Sequence, residues 1–211
     1  MSSAEVEYAT AQLVDAGLPT HPDRVKNWDT YLAVMHAVDH SLACELVIDA
    51  GGTRDSVFLR GLQATGNYNL VNINRDEAQI ETDGGISYRR GDITNLWKMS
   101  DASAQFVACL SVLEHGVDWR VFLREMARII ESGGHLFVSV DYWHKPIDPG
   151  GQMAFGAPVK VFATREILDL LKYAKLHDLV LTGDFDLRCR EPVVHWLGMD
   201  FTFLNLLFRR E

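Results

Sequence analysis

The stretch Leu46–Leu62, LVIDAGGTRDSVFLRGL, constrains the fold more than any other part of the chain. A short apolar run, Leu46–Ile48, ends in Asp49. Gly51, Gly52 and a polar turn follow, then Val57, Phe58 and Leu62 at apolar spacing. The pattern reads as strand, tight glycine turn, helix. Glycines there let the backbone approach a ligand closely, and the helix start directs unpaired N–H groups at the same spot. An acid at the strand end with glycines just beyond suits a nucleotide-type cofactor. Taken alone, the fragment is also an ordinary β–turn–α connection, because Thr53 and Asp55 stand where a three-glycine fingerprint has its later glycines.

The flanking chain supplies more alternation. Ala4–Ala16 is expected to be a helix closed by Gly17 and Pro19, and a second helix runs from Asp23 to about Leu42. Trp28, Tyr31, Leu32, Met35, Val38 and Leu42 recur at helical spacing and mark its buried face. Tyr68–Asn74 is the second strand, with a short helix or turn from Arg75. A third strand begins at Ile86 and leads to Asp92 in a loop. Ala104–Ser111 is an almost continuous apolar run, as a buried parallel strand requires. A helix from about Asp118 to Glu131 is stopped by Ser132-Gly133-Gly134, and the fifth strand is His135–Trp143. After a long loop and a helix ending near Leu176, Asp178–Leu187 and Met199–Arg210 are the last two strands. The expected fold is α/β: a doubly wound, Rossmann-like, mostly parallel seven-stranded sheet with helices on both faces and an antiparallel last strand. Residues 1–211 form one domain, with residues 1–44 an N-terminal helical cap. Ligands in such sheets bind beyond the carboxyl ends of the strands, where Asp49, Asn72, Asp92 and Ser111–His115 converge.

Charge and composition narrow the partners. The formal net charge is −9, and residues 1–45 carry seven acids against two bases, so the expectation is no nucleic-acid partner. No apolar run approaches a membrane span, and no signal peptide opens the chain, so the expected setting is cytoplasmic without a membrane partner. Cys44, Cys109 and Cys189 read as reduced, mostly buried thiols without zinc spacing, and no metal site is expected.

The segment GDITNLWKMSDASAQFVACLSVLEHGVDWRVFLREMARIIESGGHLFVSVDYW resembles the central part of the class I S-adenosylmethionine-dependent methyltransferases, most closely their type-11-like small-molecule branch. The matching features are Asp92 ahead of the fourth strand, Leu113-Glu114-His115 after it, the Glu125–Arg128 pair, Gly133-Gly134 and the strand from His135. The resemblance covers about Leu46 to Trp143. It implies S-adenosyl-L-methionine as cofactor. Asp49, Gly51 and Gly52 would hold its methionine part, Asn72 and Ile73 its ribose, and Asp92 and Ile93 its adenine, with Leu110 and Ser111 lining the cleft. Asn72 departs from the family, which usually has an acid there.

Methyl transfer is an in-line displacement in which positioning supplies much of the rate. A base is needed only for an un-ionised hydroxyl or a protonated amine. His115, Asp141 and His144 are the candidates, each with a bland alternative as a packing or solvated loop residue. The loop Asp141–Phe162 carries three prolines and four aromatics and is long enough to be a lid hinged at Gly150-Gly151, or a rigid loop packed by its own rings. Tyr142, Trp143 and Phe155 in it, with Trp28 from the second helix, are the candidate walls for a small-molecule acceptor. The competing functions are a non-catalytic cofactor-binding protein of the same fold and another Rossmann-type enzyme using a nicotinamide. The lack of a G-x-G-x-x-G run counts against the last.

Overall fold

The computed structural model describes residues 1–54, 56–66, 68–76, 81–183, 185–189 and 191–211. Asp55 lies outside these residues, as does 77–80, into which the turn expected from Arg75 runs. The chain forms α1 (Ser3–Asp15), α2 (Lys26–His40), β1 (Leu46–Ala50), α3 (Phe58–Thr65), β2 (Asn69–Asn74), β3 (Glu81–Asp83) and β4 (Ile86–Arg90). Then come β5 (Ala104–Leu110), α4 (Trp119–Ile129), β6 (Ile130–Trp143), β7 (Met153–Ala154), β8 (Ala157–Pro158) and β9 (Phe162–Ala163). α5 (Thr164–Lys175), β10 (Leu179–Thr182), β11 (Val194–Trp196) and β12 (Met199–Arg210) complete it.

The main sheet has the order β10-β12-β6-β5-β1-β2-β4-β3. β4, β2, β1, β5 and β6 are parallel neighbours, and β12 enters antiparallel between β6 and β10. Chain order reverses between β1 and β5, so the crevice at the carboxyl ends of the strands opens there. Alternate residues of the central strands feed opposite cores. Ile48, Val107, Cys109 and Val138 pack under α4 and α5. Val47, Phe106, Ala108 and Phe137 pack under α2 and α3. This two-sided burial is why the strands read as apolar runs rather than alternations.

Three local expectations are corrected. On α2 Trp28 is buried as expected, but the other buried residues are Asn27, Asp29, Thr30, Ala33, Val34 and Ala37, whereas Met35, Val38 and Leu42 are exposed. The helix lies close against α3, where a Cβ added at Gly61 would sit 3.2 Å from Val34, and only small side chains fit that seam. Ser132-Gly133-Gly134 does not stop α4. The helix ends at Ile129, and the glycines lie inside β6 at a register shift against β5, where a Cβ on Gly134 would meet the Gln105 carbonyl at 2.8 Å. Cys44 is exposed and Cys189 half-buried, and only Cys109 of the three is buried.

A third apolar cluster lies over the carboxyl end of the sheet near β12. Val6, Ala9 and Trp28 from the first two helices meet Val159, Val161, Phe201 and Phe203 there. β11 turns back onto β12 through Leu197 and Gly198, both at positive φ, as a two-residue hairpin requires. No helix among the described residues is long and apolar enough to cross a membrane.

Candidate functional site

The glycine turn is built against the ends of β1 and β2. Gly51 has φ +92° and donates its N–H to the Ile73 carbonyl at 2.8 Å. Gly52 touches Asp49 so closely that a Cβ there would lie 2.1 Å from Oδ2. Asp49 is buried and accepts from the Ser56 hydroxyl at 2.7 Å, while Oδ1 has no partner among the described residues. Burial pushes its carboxyl up to about 6 against the opposing Ser56 bond.

The amide at Asn72 has a structural reason. Its Nδ2 donates to the Gly52 carbonyl at 2.9 Å, and Asn74 Nδ2 donates to the Gly51 and Gly52 carbonyls at 3.1 and 2.9 Å. A carboxylate cannot donate, so amides at the end of β2 hold a turn that acids could not. Asn72 Oδ1 remains buried without a partner among the described residues.

Asp92 opens the loop after β4. Its Oδ1 accepts from the Thr94 N–H at 2.9 Å and hydroxyl at 2.6 Å, and these bonds hold the carboxyl below its ordinary range. Ile93 is buried in the core behind it. The Glu125/Arg128 pair fixes this loop to α4. Glu125 accepts from the Leu96 N–H at 2.5 Å, and Arg128 donates to the Leu96 and Met99 carbonyls at 3.0 and 2.9 Å and to Asp101 at 2.6 Å. The E-x-x-R spacing therefore places two side chains one turn apart to clamp a loop.

Beyond β5, Ser111 takes positive φ (+52°) and donates its N–H to the Ser139 carbonyl at 3.0 Å. Here a cavity of about 460 Å³ opens, lined by Asp23, Val25, Lys26, Ser111, Glu114, His115, Asp141 and Phe155. Val193, Val194, His195, Trp196, Phe201 and Phe203 complete the lining. Glu114 is wholly buried. Its Oε1 accepts from the Asp141 N–H at 3.4 Å, and burial plus the neighbouring Asp141 raises its carboxyl well above the ordinary range. Burial pushes Asp141 up to about 7, with Lys26 opposing. Beneath them Asp29 accepts from Ser139 and Ser111 hydroxyls at 2.8 and 3.4 Å. His115 has its Nδ1 unpartnered among the described residues, and burial then Lys26 drive it down to about 4.

The β7–β8 hairpin brings Phe155 edge-on to His115, with ring centroids 4.8 Å apart. Gly116 permits this approach, since a Cβ on it would lie 3.0 Å from Ala157. Trp196 also faces His115 edge-on at 6.3 Å.

The structure thus brings Ser111, His115, Asp141 and Phe155 to one cavity, and Asp49, Gly51, Gly52, Asn72 and Ile73 to the adjoining turn. Leu110 ends β5 between them, packed toward the α2/α3 side. Other candidate side chains are not brought to the cavity lining. Tyr142 is buried on the α4/α5 side with its hydroxyl bonded to Thr164 and to the Leu187 carbonyl. It sits next to Asp141 on a strand, and successive side chains point to opposite faces. Trp28 is buried, and Trp143 packs against its cluster. The His144 ring lies tilted against Trp143, with centroids 4.9 Å apart, while the His144 carbonyl accepts from Thr164. Lys26, Glu114, Val193–Trp196, Phe201 and Phe203 were not singled out as site residues. Glu114 left a signal, a charge directly after an apolar strand. Lys26 left one too, since it lies in the polar, aromatic segment 21–28 joined to a turn, which suits a ligand cover. Val193–Trp196, Phe201 and Phe203 left none, because they come from the far end of the chain.

Residues 49–138 match the family model described as "Methyltransferase domain". No curated protein sequence matches the chain. Among solved structures, the geranyl diphosphate C-methyltransferase of Streptomyces coelicolor, in complex with Mg²⁺, geranyl diphosphate and S-adenosyl-L-homocysteine, is 14% identical. It superposes with a TM-score of 0.64 over 94% of this chain and 86% of its own. An S-adenosylmethionine-dependent methyltransferase from Mesorhizobium loti is 16% identical with a TM-score of 0.64, over 86% of this chain and 98% of that one. A [4+2]-cyclase is 12% identical with a TM-score of 0.62, over 86% and 81%. At these identities the likeness establishes the fold.

Proposed function

We propose that this chain, whose residues 49–138 match a methyltransferase domain and which shares the fold of S-adenosylmethionine-dependent methyltransferases, is itself a class I S-adenosylmethionine-dependent methyltransferase that methylates a small molecule held in the cavity beside Ser111. The observation that carries this reading is a pair of buried, unpartnered oxygens, Asp49 Oδ1 and Asn72 Oδ1, at the ends of β1 and β2 beside the glycine turn. Buried polar atoms are nearly always paired, so such atoms at a crevice point to a ligand with donors. S-adenosylmethionine has those donors: Asp49 would take its ammonium and Asn72 a ribose hydroxyl. Asp92 and the Ile93 backbone would hold the adenine, with the loop kept in place by Glu125 and Arg128. When bound, the cofactor supplies an electrophilic methyl group on a sulfonium.

The chain's own residues divide the remaining work. Phe155, Trp196, Phe201 and Phe203 give the acceptor an apolar wall. His115, driven down to about 4, stays neutral at physiological pH and holds a proton poorly there, so it orients the acceptor. Asp141, near 7, is better matched to accepting a proton. The shared fold of a [4+2]-cyclase favours one second reading, cofactor binding without methyl transfer. Calorimetric titration with S-adenosylmethionine and S-adenosylhomocysteine tests the first half of the proposal. Mass-spectrometric detection of methylated products from an acceptor panel tests the second. Failure of both compounds to bind at millimolar concentration overturns it, and binding with no transfer leaves the second reading.

A further inference from the structure

The cavity beside Ser111 combines two features that methyl transfer alone does not require. Its floor is acidic: Glu114 follows β5, Asp141 lies on β6, and Asp29 on α2 sits below, held by Ser139 and Ser111. Glu114 is 0% exposed, and its Oε2 has no hydrogen-bond partner among the described residues although the residue lines the cavity. A buried carboxyl oxygen in that state lacks a donor, which a ligand in the cavity can supply. Its walls are aromatic: Phe155, Trp196, Phe201 and Phe203. One alkylammonium already sits there, since Lys26 Nζ stands 4.4 Å from the centroid of the Phe203 ring. Ring faces attract cations, and carboxylates pair with them.

We infer that the acceptor is a small amine whose ammonium docks at Glu114 and Asp141 against the aromatic wall. This rests on the methyl-transfer reading above. A protonated nitrogen has no free lone pair, so the amine gives one proton to the Asp141 carboxylate. The nitrogen lone pair then forms the new N–C bond, the methyl–sulfur bond breaks, and its electron pair stays on sulfur. The product is a methylammonium and S-adenosylhomocysteine, and the proton on Asp141 leaves to solvent. An anionic acceptor would meet Lys26 but would be forced against two buried acids. A neutral alcohol would gain nothing from either charge.

The groups acting on Asp141 are Glu114 from the turn after β5 and Lys26 and Asp29 from α2, and Asp23 before α2, His115 beside Glu114 and His195 on β11 line the same cavity. With this set the empty floor holds protons, and an arriving cation displaces them.

Three matched probes decide the matter: phenethylamine, 2-phenylethanol and phenylacetate, titrated calorimetrically into the full chain with and without S-adenosylhomocysteine. The amine is expected to bind at least roughly tenfold more tightly than either analogue. Below neutral pH its binding should release protons, read by repeating the titration in buffers of different ionisation enthalpy. Glu114→Gln and Asp141→Asn should each weaken amine binding by about tenfold or more, with the S-adenosylhomocysteine affinity unchanged as the control for folding. Phenylacetate binding more tightly than the amine, the alcohol matching it, or no amine binding would each overturn the inference on the unmodified chain alone. Lack of S-adenosylhomocysteine binding strikes the methyl-transfer reading instead, so the two failures are told apart.

Discussion

Asp49→Asn is expected to make the protein more stable and a worse cofactor binder. Asp49 is wholly buried, and burial lifts its carboxyl from 3.8 to about 6. The folded state therefore prefers the protonated form. Its contribution to stability is fully present below pH 3.8 and is lost as pH rises through about 6. Above that, the buried charge costs the empty protein about 3 kcal/mol. Asparagine removes the charge and can still accept from the Ser56 hydroxyl, so the expected gain is about 1–3 kcal/mol at alkaline pH, shrinking toward zero in acid. The ammonium of the cofactor loses a charge-assisted bond worth about 1.5–3 kcal/mol, or roughly tenfold to a hundredfold in affinity. Urea unfolding of parent and variant at about pH 8 and about pH 4.5 reads the first effect. Calorimetry with S-adenosylhomocysteine reads the second. A variant no more stable than the parent at alkaline pH, or a gain that does not change with pH, would refute the electrostatic reasoning. Unchanged affinity would refute the assignment of Asp49.

Gly52→Ala places a Cβ 2.1 Å from Asp49 Oδ2 and should cost about 2–4 kcal/mol of stability through the lost Ser56 bond and a displaced rotamer. Adding Asp49→Ala should restore part of that stability without restoring cofactor affinity, and equal stability of parent and single variant would dismiss the clash. Arg128→Ala removes donors to Leu96, Met99 and Asp101. It should speed hydrogen exchange in the 92–101 loop and weaken cofactor binding several-fold, and an unaltered exchange pattern would show that the clamp is unnecessary. Phe155 is 81% exposed yet edge-on to His115, whereas Trp143 packs on an apolar cluster. Phe155→Ala should raise acceptor KM at constant melting temperature and Trp143→Ala should lower the melting temperature. The reverse pattern would make the hairpin structural and Trp143 the acceptor wall.

The parallel strands were legible because each is buried on both faces and so reads as an apolar run bounded by turns. The antiparallel end of the sheet followed from the missing helix between the last two strands. Periodicity failed at α2, where close packing selects Ala33, Val34 and Ala37 over the larger residues Met35, Val38 and Leu42. It failed again at Gly133-Gly134, because glycines that end a helix and glycines that let two strands approach look alike in sequence. The strand-end positions Asp49, Asn72 and Asp92 could be placed because a doubly wound sheet puts successive strand ends on one edge. The cavity could not be assembled, since Lys26 and Trp196 meet there from opposite ends of the chain, and spacing does not record which distant segments touch. Alternation within β6 does separate Asp141 from Tyr142, and applying it to the end of that strand would have moved Tyr142 out of the acceptor wall.

The central claim is that S-adenosylmethionine binds across the glycine turn, the end of β2 and the Asp92 loop. Hydrogen–deuterium exchange of the full chain with and without saturating S-adenosylhomocysteine tests it most directly. The account expects protection concentrated at Gly51–Gly52, Asn72–Asn74 and Asp92–Thr94, diminished by Asp92→Ala. Protection confined to other segments, or none with the ligand at millimolar concentration, would contradict it.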